Sequence, residues 1–161
     1  MDVQIVPARS EDVPIVLGLI NALAEYERMS DHVVATEQGL RAWLFGDRPA
    51  AEVVLASADG SVVGFALFFH NFSTFLGRPG LYLEDLFVVP EWRGRGIGRK
   101  LMAHLAEIAV SRGCGRMEWS VLDWNRPAIG FYQRIGASLL EDWRVCRLSG
   151  DSLARLAAGT P

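Results

Sequence analysis

Three glycines, Gly94, Gly96 and Gly98, stand directly before a helical run, with Arg93, Arg95, Arg99 and Lys100 among them. This pattern can hold an anion. The first N–H groups of a helix have no partner inside it, and they lie at the positive end of its dipole. Glycine lets a phosphate approach the backbone without a Cβ in the way. Two readings stand: a pyrophosphate cradle, or a tight structural turn beside a solvated basic helix start. Upstream, Glu84 and Asp85 interrupt an otherwise apolar run. Acids there are costly to bury without partners. They serve either structural hydrogen bonds or proton acceptance from a substrate. Adjacent strand residues point to opposite faces, so the two do not pair unless a bulge intervenes. Tyr132 carries a phenol with an ordinary pKa of about 10. It is protonated at neutrality, and is either a proton donor or an amphipathic helix residue packed by its ring.

The elements that position these groups read clearly. Leu81 to Val89 is apolar and strand-prone, and Pro90 stops it because proline cannot donate to a ladder. Ile97, Leu101, Leu105 and Ile108 then recur at helical spacing. The order is strand, glycine turn, helix. A P-loop needs Ser or Thr after its lysine, but Leu101 follows Lys100. A dinucleotide fold needs G-x-G-x-x-G straight after the strand. Here the glycines run G-x-G-x-G and Pro90 to Arg93 intervene, although Glu118 lies near where a ribose-binding acid would sit.

The spacing that fits is R-x-x-G-x-G, from Arg93 through Gly96 to Gly98. It resembles the acyl-CoA pyrophosphate loop of the GCN5-related N-acetyltransferases (GNAT superfamily). Tyr82-Leu-Glu-Asp-Leu-Phe-Val88 and Leu122-Asp-Trp-Asn-Arg-Pro-Ala-Ile-Gly-Phe-Tyr-Gln-Arg-Ile-Gly-Ala137 resemble the spermidine/spermine (diamine) N-acetyltransferase branch. The likeness extends over most of the chain and is strongest from Tyr82 to Ala137. It implies acetyl-CoA as cosubstrate, held by Arg93, Gly94, Arg95, Gly96, Ile97, Gly98 and Arg99, with main-chain groups of Leu86, Phe87 and Val88 pairing with pantetheine. It implies Tyr132 as the acid facing the sulfur, Glu84 as the acceptor of the amine proton, directly or through water, and Asn125 touching the pantetheine or phosphate arm. It implies an amine site with Glu27, Glu84, Asp85 and Trp143, and a homodimer with late strands or C-terminal segments in the contact. No metal is implied.

In chain order, Val3 to Val6 is a short strand. Ser10 suits a helix N-cap, and Val13, Val16, Leu17, Ile20, Leu23 and Ala24 make an amphipathic helix. Glu25 to His32 is a polar loop, and Thr36 to Leu44 a second helical segment. Val53 to Ala56 and Ser61 to Phe69 are strands joined by the hairpin signal Asp59-Gly60. Gly64 inside the second marks a bulge or a close backbone approach. His70 to Gly80 reads as a loop. The cradle helix closes at Gly113. Met117 to Val121 is a strand; Asn125 caps a helix to Ile135 with Pro127 in its first turn. Trp143 to Leu148 reads as a late strand, and Asp151 to Ala157 as a short terminal helix. The expectation is one α/β (α+β) N-acetyltransferase domain over residues 1–161. The resemblance implies a mostly antiparallel mixed sheet splayed between Leu81–Val89 and Met117–Val121.

A chain of 161 residues with half its residues hydrophobic can bury about 68–70% of its unfolded surface and does not suit disorder. A net charge of -3 gives no global attraction to nucleic acid or an acidic membrane. Cys114 and Cys146 make no disulfide framework or metal spacing. No signal peptide or spanning run is read, so the cytoplasm is expected.

The expected reaction is acetyl transfer from acetyl-CoA to a primary amine of a small cationic molecule: a diamine, a polyamine or a thialysine-like compound. Asn71-Phe-Ser-Thr-Phe-Leu-Gly77 departs from the resembled branch, which carries an acid and a tryptophan there; this chain offers Phe75. A shorter diamine or thialysine is therefore expected over spermine and spermidine. The alternatives are acetylation of protein or peptide lysines, and a non-catalytic acyl-CoA-binding regulatory module.

Overall fold

The computed structural model describes residues 2–159. Five strands form one sheet in the order β1-β2-β3-β4-β5. They are β1 (Val3–Pro7), β2 (Glu52–Ala58), β3 (Ser61–Ser73), β4 (Arg78–Val88) and β5 (Met117–Glu118). The first four pair antiparallel; β4 and β5 pair parallel. The helices are α1 (Val13–Tyr26), α2 (Glu37–Phe45), α3 (Ile97–Ser111), α4 (Arg126–Arg134) and α5 (Gly150–Ala157). Residues up to Ser120 make one compact unit and those from Val121 a second. No helix among the described residues is long and apolar enough to cross a membrane.

In the first unit, Val16, Leu19 and Leu23 of α1 and Leu44 of α2 pack with Val53, Leu55, Phe65 and Phe87 of the sheet. The intervening Val54, Ala56 and Ala66 are buried as well, so the inner strands are apolar on both faces, as a covered sheet requires. Helix α3 buries Ile97, Leu101, Met102, Leu105 and Ala109 and runs against β1 to β4. Arg112 at its end makes a two-pronged ion pair with Glu52 of β2, at 2.6 and 2.9 Å.

Local chemistry sets the turns. Asp59 and Gly60 both take positive φ, 50° and 79°, the twist a two-residue hairpin needs. Gly64 meets both expectations. The β2–β3 register skips Val63, and a Cβ on Gly64 would stand 2.7 Å from the Phe87 carbonyl oxygen. Gly113 and Gly136 end their helices at φ 72° and 98°.

Four expectations need correction. Ser10 does not cap α1. It opens a short 3₁₀ turn, Ser10–Asp12, in which the Asp12 carboxylate accepts from the Arg9 N–H at 2.8 Å. The expected loop His70 to Gly80 is mostly strand, because β3 continues to Ser73 and β4 begins at Arg78; only Thr74–Gly77 turns. Strand β5 is two residues long, since its pairing with β4 stops at Tyr82↔Glu118. The late strand over Trp143–Leu148 is absent among the described residues. That segment is irregular, with Trp143 79% and Val145 77% exposed. Alternating apolar residues make a strand only where a neighbour satisfies the ladder.

Candidate active site

The site in the first unit is built on β4. Its β3 side is paired from Arg78 to Val88 except at Glu84. Its β5 side is paired only at Leu81 and Tyr82. Tyr82 keeps the fork closed at its root, its hydroxyl 3.2 Å from the Ser120 Oγ. Beyond that point the two parallel strands part. Leu86, Phe87 and Val88 lie in the stretch where β4 has no β5 partner among the described residues.

The ladder also breaks where the two acids sit. Leu67 faces Asp85 but Phe68 faces Leu83, so Glu84 is the extra residue of a β-bulge. A bulge interrupts strict alternation and re-aims side chains. The two carboxyls therefore feel one another: Glu84 is exposed, while Asp85 is part-buried. Burial first, then the charges of Glu84 and of Glu27, push the Asp85 carboxyl up from 3.8 to about 6. Glu27, the C-cap of α1, is itself raised by burial. Three predicted acids, Glu27, Glu84 and Asp85, are thus brought together around the Asp85 carboxyl, whose charge the other two disfavour. A cation is the natural ligand of such a group.

The predicted cradle follows β4. A 3₁₀ turn, Pro90–Trp92, leads into Arg93. Gly94 and Gly96 hold φ of 74° and 80°, and open space lies where their Cβ atoms would be. Gly96 is the N-cap of α3 and has no side chain to cap it. The N–H groups of Ile97, Gly98 and Arg99 in the first turn therefore await an acceptor. Arg95 stacks 4.8 Å over the Trp92 ring, and Arg99 and Lys100 follow. Bare glycines, uncapped donors and basic side chains fit the pyrophosphate of acetyl-CoA. Arg93 is placed differently: its Nε donates to the Val88 carbonyl at 2.8 Å, and its guanidinium lies over Tyr26 and Phe87.

The second unit carries the other candidates. The Asn125 Oδ1 accepts from the Ala128 N–H at 3.3 Å, capping α4 as expected. Tyr132 lies on that helix, its ring 5.3 Å from Phe131. Trp143 is exposed. Sequence reasoning did not find Tyr26 as a partner of Arg93. Its only signal was its place one residue before Glu27. Glu118, weighed against a ribose, is engaged by Arg116 at 2.9 Å and Asn71 at 3.4 Å.

The sequence profile described as the Acetyltransferase (GNAT) family matches residues 18–137, a span that runs through both units. The thialysine N-epsilon-acetyltransferase of Bos taurus is 40% identical over 96% of this chain and 97% of its own length. The L-ornithine N5-acetyltransferase NATA1 of Arabidopsis thaliana is 35% identical over 91% of this chain and 84% of its own. Among solved structures, the integron cassette protein VCH_CASS6 from the mobile metagenome of V. cholerae superposes with a TM-score of 0.82 at 33% identity, covering 98% of both chains.

The raised Asp85 carboxyl has a stability signature. A carboxyl whose folded pKa lies above its unfolded value favours folding most below the unfolded value, and that contribution is lost as pH rises through the folded one. Between 3.8 and about 6, Asp85 therefore turns from neutral to destabilising. Asp85→Asn should raise the stability of the ligand-free protein at pH 7.5 by on the order of 1–3 kcal/mol, at 1.36 kcal/mol per pKa unit. The gain should shrink towards zero near pH 4. Urea unfolding at the two pH values measures this; an equal gain at both would contradict the burial of a strained anion.

Proposed function

We propose that this chain, which belongs to the GNAT acetyltransferase family on the branch of the diamine acetyltransferases, moves an acetyl group from acetyl-CoA to a primary amine of a small molecule bearing a second cation. The observation that carries this reading is the gathering of Glu27 with the bulged pair Glu84 and Asp85. Two carboxylates that raise a third, Asp85, beside the unpaired edge of β4 suit a substrate with more than one positive charge. The relatives' names, for thialysine and ornithine, support a short amine with a polar far end. They fit the acid-free hairpin turn at Thr74–Gly77 better than a long polyamine does.

The cosubstrate brings the acetyl thioester. The backbone of Gly94 to Arg99, with Arg95 and Arg99, holds its pyrophosphate. The main chain of Leu86 to Val88 offers hydrogen bonds along the pantetheine arm, and Asn125 adds a polar contact while capping α4. Glu84, the exposed member of the pair, takes the ammonium proton directly or through a water. Asp85, the part-buried member, has its carboxyl raised to about 6 by burial and the neighbouring acids, so near neutrality it is mostly an anion that a substrate cation relieves. The amine, once neutral, attacks the thioester carbonyl. Tyr132 donates to the leaving sulfur. Glu27 and Trp143 bind the far end of the amine. The family match across both units supports one N-acetyltransferase domain for the whole chain, and the exposed apolar run Leu139, Leu140, Trp143 and Val145 supports a homodimer through the C-terminal segment.

A competition assay with acetyl-CoA and a mixture of polyamines, diamines, thialysine, amino acids and monoamines tests the substrate class. Thialysine and short diamines should be consumed first. Comparable rates on neutral-tailed monoamines would reject the two-cation reading. Tyr132→Phe keeps the ring and removes the proton donor. It should lower turnover about 10²–10⁴-fold, with acetyl-CoA affinity little changed, as steady-state kinetics and calorimetry will show. Light scattering should give twice the chain mass; a monomer across working concentrations would reject the dimer.

A further inference from the structure

The Arg93 side chain does not reach out over the glycine turn. It folds back along the chain that leads into that turn. Its Nε donates to the Val88 carbonyl oxygen at 2.8 Å, closing the link between the end of β4 and the start of the cradle. Its guanidinium carbon lies 4.5 Å from the centre of the Tyr26 ring and 5.3 Å from that of Phe87. Tyr26 is the last residue of α1, and Glu27 follows it as the cap. Phe87 is a buried core residue of β4, two places beyond Asp85. One planar cation thus touches the end of α1, the end of β4 and the carbonyl between strand and turn.

We infer that Arg93 is a positioning residue for the amine, a strut between α1 and β4 that sets Glu27 against Glu84 and Asp85. The inference deepens the proposed function and rests on it for the identity of the amine site. The physical case is the fit of group to place. Guanidinium is flat, permanently charged and weakly hydrated, so it stacks on aromatic faces where an ammonium does not. Each such contact strengthens as it is desolvated. Glu27 needs the help. It caps α1 immediately before Arg28, which takes a positive φ of 59°, so the chain turns sharply there. It also stands close enough to Asp85 for its charge to raise that carboxyl. Without the strut, that repulsion and the turn favour its departure. Arg95, by contrast, stacks on Trp92 inside the cradle turn itself and stays with the phosphate site.

Calorimetry of CoA and steady-state kinetics with thialysine separate the two jobs. Arg93→Leu and Arg93→Lys should each raise the amine KM by about tenfold, the equivalent of one lost stacking contact. The CoA Kd should stay within about threefold of the wild type. Tyr26→Leu removes the ring without touching any phosphate group and should raise the amine KM likewise. Tyr26→Phe should restore the low value, which a general loss of packing would not allow. A tenfold weaker CoA Kd with an unchanged amine KM would make Arg93 a phosphate ligand and overturn the inference. So would equal losses in both constants. The CoA titration needs no amine, so it reports on Arg93 whichever amine the enzyme takes up.

Discussion

Strand β4 is paired along one side at every residue but the bulged Glu84, and on the other side at two residues only. Everything chemical in the first unit depends on this asymmetry. A backbone N–H or carbonyl taken from water needs a partner, and an inner strand normally finds one on each side. Where the β5 pairing ends at Glu118, the main chain from Leu83 to Val88 keeps its β3 ladder except at Glu84 and has no β5 partner among the described residues. The bulge at Glu84 falls within that stretch, and the cradle begins where it ends. One strand therefore fixes both the depth of the acids and the start of the glycine turn.

Electrostatics in the site have one sign at each end. Around Glu27 and Asp85 burial raises both carboxyls, and the charges of Glu84 and Glu27 raise Asp85 further. Around Gly94 to Lys100, backbone donors and basic side chains gather without an acid among them. Between the two ends lies Arg93, its charge spread over aromatic rings. The acids lie within β4 and the basic turn just beyond its end, so charges of opposite sign stand a few residues apart along one stretch of chain.

Much of this was legible from residue order, for reasons that differ between elements. Helices α1 and α3 announce themselves because their buried positions recur every three or four residues, and proline and glycine mark their ends. The hairpin at Asp59-Gly60 was readable because few residues tolerate its two positive φ angles. The cradle was readable for the same reason. The pairing of Glu84 with Asp85 was conditional on a bulge, and nothing in Leu83-Glu-Asp-Leu86 specifies one. The β3 ladder creates it. The extension of β3 to Ser73 was missed because polar His70, Asn71 and Ser73 resemble a loop until a facing strand supplies their ladder. The strand expected at Trp143–Leu148 fails for the opposite reason: its alternation is present and its neighbour is not. Long-range pairing decided each of these cases, and composition carries no trace of it.

The turns of the sheet have a consequence for how it is made. Strands β2, β3 and β4 are joined by the two-residue turn at Asp59-Gly60 and the short turn at Thr74–Gly77, so their ladders close small loops at little entropic cost. Strand β1 must wait for a partner that comes after both α1 and α2. The parallel pair closes only when α3 has crossed the sheet and returned the chain at Met117, the slow kind of contact in folding. That pair holds by two residues, with the Tyr82–Ser120 contact beside it. Loop closure therefore favours the meander before the parallel pair, which is held by the fewest ladder partners of any pairing in the sheet among the described residues.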